Sequence, residues 1–366
     1  MVLYVSLTIW MFVIMLIGLR SDSKIVADMW PERPSEGIAR TNLKVCNYLA
    51  LITMLILWFL TAFRSANIGN DTSTYIYYFK IFSSGGIDRS RTFEIGYQYL
   101  NVLIGKVTSD PHVFLVIIAS IMYAATMVYI YKYSKNILVS MCLFFCACFS
   151  IYTNVFRQGI AMIIALYGYH ALKNNKRLIA AALFLLATLF HTSAIVCFLL
   201  FLNAKVLKKR WLVLLITLLC AAASLTGVFN TLISAVVPRY SHYFMSRYAS
   251  SGWLAVSYSV IRNVIWYWLV STSSDTTKKE DQLAVTDITL LLIFGAFGYS
   301  VNLFTRAGEY FLIIAITELP NILYNRSIKH YRLWIFGICT VMLIMFIVTL
   351  IFRPGWNHLY PYEFWR

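Results

Sequence analysis

Two residues near the middle of the chain have side chains suited to acid–base and anion chemistry. His191 interrupts an apolar run in Phe190-His-Thr-Ser193, and an imidazole with a pKa of about 6.5 can take up and release a hydroxyl proton. Arg157 and its neighbour Gln158 separate two apolar runs so closely spaced that the guanidinium is expected near a membrane surface. His191 and Arg157 are thus predicted to place a base and an anion-binding group at one depth, with Gln158 as a substrate-binding residue. A buried neutral imidazole and a snorkelling arginine are the structural alternatives.

Three more ionisable residues lie beside or within apolar runs. Arg306 and Glu309 have the i, i+3 spacing that allows pairing across one helical turn, and we predict a tight turn between two spans there. Arg262 lies about two turns inside another apolar run, deeper than a snorkelling arginine usually does. Arg306 and Arg262 are candidates for binding an anionic ligand, and Glu309 is a candidate for binding substrate. Local ion pairing is the alternative for Arg306 and Glu309.

Two longer polar stretches, at about 64–110 and 227–256, combine aromatic, acidic and basic residues. Asp71 and Glu94 in the first stretch are expected to orient a sugar or to hold an arginine. Tyr240 in the second suits stacking on sugar rings, and interfacial anchoring of aromatic residues is the alternative. Arg247 is a second candidate for anion binding.

The composition indicates which elements must position these residues. The 366-residue chain is 60% hydrophobic and 13% charged, about half the roughly 25% charge of soluble domains. Apolar runs long enough to cross a bilayer, about 20 residues each, recur throughout. We therefore predict an all-α polytopic integral membrane protein, with residues 1–366 as a single membrane domain. Ten full spans are expected near 2–19, 45–63, 111–131, 138–155, 158–172, 211–226, 256–272, 286–304, 307–324 and 333–351.

The run 178–204 is different, because basic clusters at 173–177 and 205–210 flank it and both are expected on the cytoplasmic side. An even number of crossings must then join them, although the run is short for two full spans. We predict a broken pair of short helices meeting at His191, which gives about 12 membrane segments in all. Non-helical backbone at this depth must line a cavity or be buried in protein.

The distribution of charge sets the orientation and the class of partner. The net charge is +16, but basic residues concentrate in short loops, including a predicted cytoplasmic loop at about 20–44, so we expect membrane lipid and no nucleic acid as a partner. Twelve of the fourteen lysines fall in predicted inner loops, whereas the outer side has mostly arginine. The planar arginine fork suits phosphate and carboxylate, so the pattern favours an anionic ligand outside.

Several known motifs are absent from the sequence. It contains no Walker A, HExxH or GxSxG motif and no Asp-x-Asp metal motif. The seven cysteines lie in apolar segments without the spacing of a zinc site. We therefore expect no metal and no cofactor.

Four stretches, taken in order, resemble the EpsG-like branch of the Wzy-type polysaccharide polymerases of bacterial envelopes. They span about residues 67 to 311, together with the weaker Arg306-x-x-Glu309-Tyr310-Phe311. The four stretches are Asn70-Asp71 with Thr74-Tyr75 and Phe79, Glu94-Ile-Gly96-Tyr97, Phe156-Arg157-Gln158-Gly159-Ile-Ala161, and Phe190-His191-Thr192-Ser193-Ala194.

The resemblance implies a metal-independent, inverting glycosyltransferase in the bacterial inner membrane, with its active site facing the periplasm. It would move a growing glycan from undecaprenyl diphosphate onto a lipid-linked repeat unit, and a separate regulator would control chain length. On this hypothesis Arg157 and Arg306 bind the donor diphosphate and His191 activates the acceptor hydroxyl.

Two other classes of protein remain open. A flippase or transporter for lipid-linked oligosaccharides also has about twelve helices and cationic residues in a cavity, although internal repeat symmetry is then expected. A membrane O-acyltransferase also uses a histidine, but its charged residues are expected to face the cytoplasm.

Overall fold

The computed structural model describes residues 1–28, 36–86, 93–202, 209–226, 228, 231, 253–275, 277–298, 302–324 and 328–365. This part of the chain is helical and contains a single isolated β-bridge, between Arg64 and Phe364. The α-helices are α1 (Val2–Asp28), α2 (Glu36–Ala62), α3 (Thr72–Ser83), α4 (Ile95–Gly105), α5 (Pro111–Tyr133), α6 (Ile137–Asn154), α7 (Phe156–Lys173), α8 (Arg177–Thr188), α9 (Arg210–Leu225), α10 (Trp253–Ser273), α11 (Lys279–Phe297), α12 (Asn302–Leu323) and α13 (Ile328–Phe352). Short 3₁₀ helices cover Thr192–Phe201 and Pro354–Trp356.

The fold is that of an all-α polytopic membrane protein, as predicted. Five of the described helices are long and apolar enough to cross a membrane: Val2–Ser21, Lys44–Ala62, Pro111–Tyr133, Ile137–Asn154 and His330–Phe352. The total of about twelve membrane segments stays a prediction. The break predicted at His191 is present, because α8 ends at Thr188 and the 3₁₀ helix begins at Thr192.

The chain forms two compact units, each continuous in space but not in sequence. The first comprises Met1–Ile164, Leu186–Thr192 and Tyr324–Arg366, and the second Ala165–Leu185 and Ser193–Leu323. The expectation of one membrane domain over 1–366 stays a prediction.

The first unit is built around α6, most of whose residues are buried. Helices α1, α2, α5 and α13 all pack against it. Asn136 caps α6 by accepting a hydrogen bond from the Val139 N–H (3.1 Å) and donates to the Gly18 carbonyl of α1 (3.2 Å). A Cβ on Gly18 would lie 2.8 Å from the Asn136 amide oxygen, so the glycine permits this close approach of α1 and α6.

Residues 353–365 form a tail that folds back over the opposite end of the first unit, which we call the tail-covered end. There α2 and α6 finish and α5 starts, as expected for neighbouring helices that alternate in direction. The hydrogen bonds that fix the tail are Trp365 N to Phe63 O (2.9 Å), Ser65 N to Glu363 O (2.9 Å), Gly69 N to His358 O (3.0 Å), Tyr4 Oη to Leu359 O (2.8 Å) and Tyr362 Oη to Leu60 O (2.9 Å).

The second unit is built around α11, which packs against α9, α10 and α12. The Asn263 amide of α10 donates to the Leu291 carbonyl of α11 (3.0 Å). Lys173, the last residue of α7, donates to both carboxylate oxygens of Glu318 on α12, at 2.8 and 3.0 Å. Glu318 is thus a satisfied polar group, as expected for a carboxylate held below the membrane surface.

Two predicted boundaries can be compared with the helices of the structure. The cytoplasmic loop expected at about 20–44 stays a prediction, and its described residues are largely helical, since α1 continues to Asp28 and α2 begins at Glu36. No glycine or proline occurs from Arg20 to Asp28, so nothing breaks α1 where the hydropathy falls. The span expected at 286–304 instead runs from Lys279 to Phe297, because acidic residues in its first turn suit a helix N-terminus.

The structure describes most of the first predicted outer loop and little of the second. The stretch 64–110 contains α3 and α4, in agreement with the helical spacing of its aromatic residues, and these two helices pack against each other. Most of 227–256 lies outside the described residues.

Candidate functional site

A single carboxylate joins the residues that the sequence analysis placed at one depth. The Glu94 Oε2 atom accepts a hydrogen bond from Arg157 Nη1. The Oε1 atom accepts from the Thr192 N–H (3.0 Å) and the Thr192 hydroxyl (3.3 Å), and lies 3.5 Å from His191 Nδ1. We call Glu94, Arg157, His191 and Thr192 the Glu94 cluster. All four belong to the first unit.

The backbone around Glu94 explains how the cluster forms. Glu94 is the N-cap of α4, and the Gly96 N–H donates to the Leu189 carbonyl (2.8 Å) in the break before the 3₁₀ helix. A Cβ on Gly96 would lie 2.7 Å from that carbonyl oxygen. The glycine of Glu94-Ile-Gly96 therefore lets α4 dock directly against the segment that carries His191.

Helix N-termini favour a negative charge at the position of Glu94. The side chain lies at the start of α4, and its hydrogen bond from the Thr192 N–H places it also at the start of the 3₁₀ helix. Burial opposes ionisation of Glu94, but the contact with His191, the charge of Arg157 and the Thr192 N–H outweigh it. Together they lower the pKa of the carboxyl to about 2. Glu94 is therefore an anion at neutral pH.

Arg157 is the second residue of α7 and is held from two sides. Glu94 binds one edge of the guanidinium, and the Phe93 ring lies 4.4 Å from its carbon. The α7 backbone is fixed by a close approach to α5, because a Cβ on Gly159 would collide with the Met122 methyl. The side chains of Arg157, Glu94 and His191 are 18%, 15% and 16% exposed, so the cluster is reachable from outside the protein.

Two other predicted residues lie near the cluster in the sequence. Gln158 is fully buried on α7, directly after Arg157. Asp71 is the N-cap residue of α3, and its carbonyl accepts from the Tyr75 N–H (2.9 Å). Asp71 thus has a structural role at the start of α3, and the roles assigned to both residues in binding substrate stay predictions.

Arg306, Glu309 and Arg262 belong to the second unit. The prediction that Arg306 and Glu309 lie in a turn was wrong: α11 ends at Phe297, capped by Gly298, so both fall inside α12. Arg262 is inside α10 as predicted. Its Nε and Nη2 donate to the Asn263 side-chain oxygen (3.1 and 3.0 Å), and Trp266 packs against its guanidinium (5.4 Å).

Two predicted residues, Tyr240 and Arg247, lie outside the described residues. Within the described ranges, no group of three or more His, Cys, Asp or Glu side chains could hold a metal ion.

Sequence reasoning missed Arg64, a fully buried arginine just after α2. Its Nη1 donates to the Thr61 carbonyl, its Nη2 lies 3.4 Å from the Thr72 hydroxyl, and its guanidinium lies over the Phe156 ring at 4.6 Å. A cation directly after an apolar run is typical of a membrane surface, so its position alone predicts exposure. The following Ser65 to Thr72 segment, rich in small and polar residues, was the available signal that the chain turns back here.

Asn154 also escaped notice, although it precedes Arg157 by one turn. Its side-chain oxygen accepts from the Asn70 N–H (2.5 Å), and its amide donates to the Asn357 carbonyl of the tail (2.9 Å). Asn70 in turn donates to the Trp356 carbonyl (2.6 Å). The tail therefore fixes the α6–α7 junction, which places the Glu94 cluster at the tail-covered end.

Comparison with known proteins identifies the family. A family model described as the EpsG family matches residues 47–364. This match includes the second half of α2, all of α3 to α13, the complete Glu94 cluster and nearly all of the tail. No curated protein and no solved structure matches the chain. The chain belongs to the EpsG family and is a membrane protein of polysaccharide biosynthesis.

Proposed function

We propose that the protein is a metal-independent polysaccharide polymerase of the bacterial inner membrane, which transfers a growing glycan from undecaprenyl diphosphate onto a lipid-linked repeat unit. The observation that carries the proposal is the Glu94 cluster. It combines an imidazole and a permanent cation on one half-buried carboxylate, at the end of a membrane-spanning unit.

In the proposed mechanism, Glu94 orients His191. A carboxylate 3.5 Å from Nδ1 favours the tautomer in which Nδ1 carries the proton and Nε2 has the free electron pair. Catalytic hydrogen bonds are often long before substrate binds, and the distance is expected to shorten in the complex. Nε2 of His191 is then the base for the acceptor hydroxyl.

The transfer step balances without any further reactant. The acceptor oxygen attacks the anomeric carbon of the donor's first sugar, and its proton passes to Nε2 of His191. The bond from that carbon to the diphosphate oxygen breaks, and undecaprenyl diphosphate leaves with the electron pair. Attack opposite the leaving group inverts the configuration at the anomeric carbon.

The leaving diphosphate gains negative charge and needs cations to stabilise it. Arg157 supplies one at the Glu94 cluster, and Arg306 on α12 is proposed as the second. Charge-assisted bonds from guanidinium to phosphate are about twice as strong as neutral hydrogen bonds. Arg247 and Arg262 are proposed as further contacts to the anionic donor, and Glu309, Asp71 and Tyr240 as contacts to the sugars.

The tail-covered end is proposed to face the periplasm, where lipid-linked repeat units are polymerised. The excess of lysine in the opposite loops supports this orientation. It makes a clear prediction for labelling: a cysteine introduced at exposed Asn67, near the tail, should react with an impermeant maleimide in intact spheroplasts. One introduced at exposed Asn174, between α7 and α8, should react only after permeabilisation.

The surface glycan of a deletion strain tests the proposed function. Loss of the polymerase leaves glycan carriers bearing a single repeat, and the wild-type gene restores the ladder of longer chains. A flippase gives a different result: the single repeat also disappears and lipid-linked units accumulate on the cytoplasmic side. That second pattern would overturn the proposal.

A further inference from the structure

The fixed charges of the Glu94 cluster cancel each other. Arg157 contributes one positive charge and Glu94 one negative charge, and they bind each other. With His191 neutral, as a base must be, the cluster has no net charge. The other cations proposed to bind the donor are Arg306, Arg262 and Arg247. The first two belong to the second unit, and the third lies outside the described residues. In the first unit, the cluster alone would therefore attract a diphosphate through local hydrogen bonds but not through net charge.

Arg64 is a positive charge with no carboxylate beside it among the described residues. Its contacts are the Thr61 carbonyl, the Thr72 hydroxyl and the Phe156 ring. Burial, opposed by the nearby tyrosines, lowers the pKa of Arg64 to about 10, so the group remains charged at neutral pH. An unpaired buried cation is costly to keep. Of these three contacts only the one with the Phe156 ring draws on the positive charge, and none of them supplies a counter-charge.

An aromatic layer separates Arg64 from Arg157. The Phe156 ring lies under the Arg64 guanidinium and stacks on Tyr75, with centroids 5.0 Å apart. Tyr75 in turn contacts Phe93 (6.3 Å), which lies against Arg157 at 4.4 Å. Rings of low polarity screen charge poorly, so the field of Arg64 extends to the Glu94 cluster.

We propose that Arg64 supplies the net positive charge that the first unit presents to the donor, attracting the diphosphate through its electric field without touching it. The inference rests on the proposed function only in naming a polyprenyl diphosphate as the ligand. Arg64 is fully buried and so is not assigned to the chemistry. It acts on the affinity for anions, and its effect must grow with the charge of the ligand.

The test compares purified protein binding three ligands of one chain length: a polyprenol, its monophosphate and its diphosphate. At about 10 Å and an effective dielectric constant of about 20, one charge pair changes affinity by about tenfold. Arg64→Gln should therefore bind the alcohol like wild type, the monophosphate about tenfold more weakly and the diphosphate more weakly still. Arg64→Lys, which keeps the charge but loses the fork, should preserve the affinity differences among the three ligands.

A second variant guards against misfolding of Arg64→Gln. Thr72→Asp places a carboxylate next to Arg64 at the first position of α3, where an acidic residue suits the helix. The variant loses the hydroxyl's bond to the Ile68 carbonyl, so its thermal unfolding is measured beside binding. The folded variant should lose diphosphate affinity as Arg64→Gln does, because the charge is neutralised in place. Equal losses for all three ligands in both variants, or normal diphosphate binding by Thr72→Asp, would show a structural role for Arg64 and overturn the inference.

This experiment separates the inference from the proposed function. In one outcome, wild-type affinity rises with ligand charge while that of Arg64→Gln does not. That result supports the inference even when the deletion strain behaves as a flippase mutant. If the deletion strain shows the polymerase phenotype but Arg64→Gln weakens the binding of all three ligands equally, only the inference is overturned.

Discussion

Two ion pairs at opposite ends of α7 use a carboxylate in different ways. At the start of the helix, Glu94 divides its two oxygens among Arg157, His191 and Thr192. At the other end, Glu318 gives both oxygens to Lys173 alone, at 2.8 and 3.0 Å. A carboxylate whose two oxygens both bind one ammonium group stabilises the packing of the helices. A carboxylate that also contacts an imidazole can fix which ring nitrogen carries the proton. The comparison separates a candidate site from a structural pair of the same type.

Among the four residues of the two ion pairs, the largest effect is expected at Arg157, because it is proposed to stabilise the leaving charge. Arg157→Ala should reduce polymer formation by about 10²–10³-fold, measured as the rate of glycan extension by purified protein. Arg157→Lys should recover little of the lost rate, since an ammonium group does not reproduce the bidentate geometry of the guanidinium. Arg177→Ala, at the exposed start of α8, is the matched control, and an equal loss there would argue against a specific role for Arg157.

The pair at the far end of α7 should affect stability and leave the chemistry unchanged. Lys173→Met leaves the buried Glu318 carboxylate without its counter-charge and is expected to lower the free energy of unfolding by about 3–5 kcal/mol. The double variant Lys173→Met with Glu318→Leu should recover most of that loss. Thermal unfolding in detergent measures both. Extension rates per folded molecule should remain close to wild type in the double variant. A large drop in rate would place this pair in the site as well.

A smaller change in rate is expected at Glu94, because its proposed role is to orient His191 and Arg157. Glu94→Gln preserves the shape and some hydrogen bonding, and should slow extension by about 10–100-fold, the range for losing a group that orients a reactive one. Glu318→Gln is the matched control with the same chemical change. Similar rates for the two variants would remove the distinction drawn between the pairs.

The smallest effect is a pH dependence of stability at the start of α7. The folded pKa of Glu94, about 2, lies below the ordinary value, so ionised Glu94 stabilises the fold above about pH 4.5. The contribution is about 1–2 kcal/mol after solvent screening. It should be lost as pH falls from about 4.5 to 2. The difference in free energy of unfolding between wild type and Glu94→Gln should shrink over that range and stay constant from pH 6 to 8.

The comparison also shows what the sequence alone could predict. The helical membrane fold follows from composition and apolar runs, and the break at His191 follows from the basic clusters that flank it. Glu94 precedes Arg157 by 63 residues and Thr192 by 98, so no local periodicity relates them. Their meeting depends on α4 docking through Gly96, a backbone contact that side-chain patterns do not encode.

Arg64 and Arg306 show two further limits. Arg64 has the sequence position of a surface arginine, but the tail folds over it from nearly 300 residues away, as the bridge to Phe364 records. Arg306 was placed in a turn because hydropathy marks where apolar character ends, whereas the helix ends where Gly298 caps it. Hydropathy therefore locates a membrane helix better than it locates the helix ends.

The central claim is that the Glu94 cluster carries out glycan transfer with His191 as its base. Its most direct test is single-turnover extension of a synthetic lipid-linked repeat unit by purified protein, with wild type, His191→Ala and the control His170→Ala. We expect a loss of about 10²–10⁴-fold for His191→Ala, unchanged binding of polyprenyl diphosphate, and wild-type rates for His170→Ala. Normal extension by a folded His191→Ala protein would contradict the account.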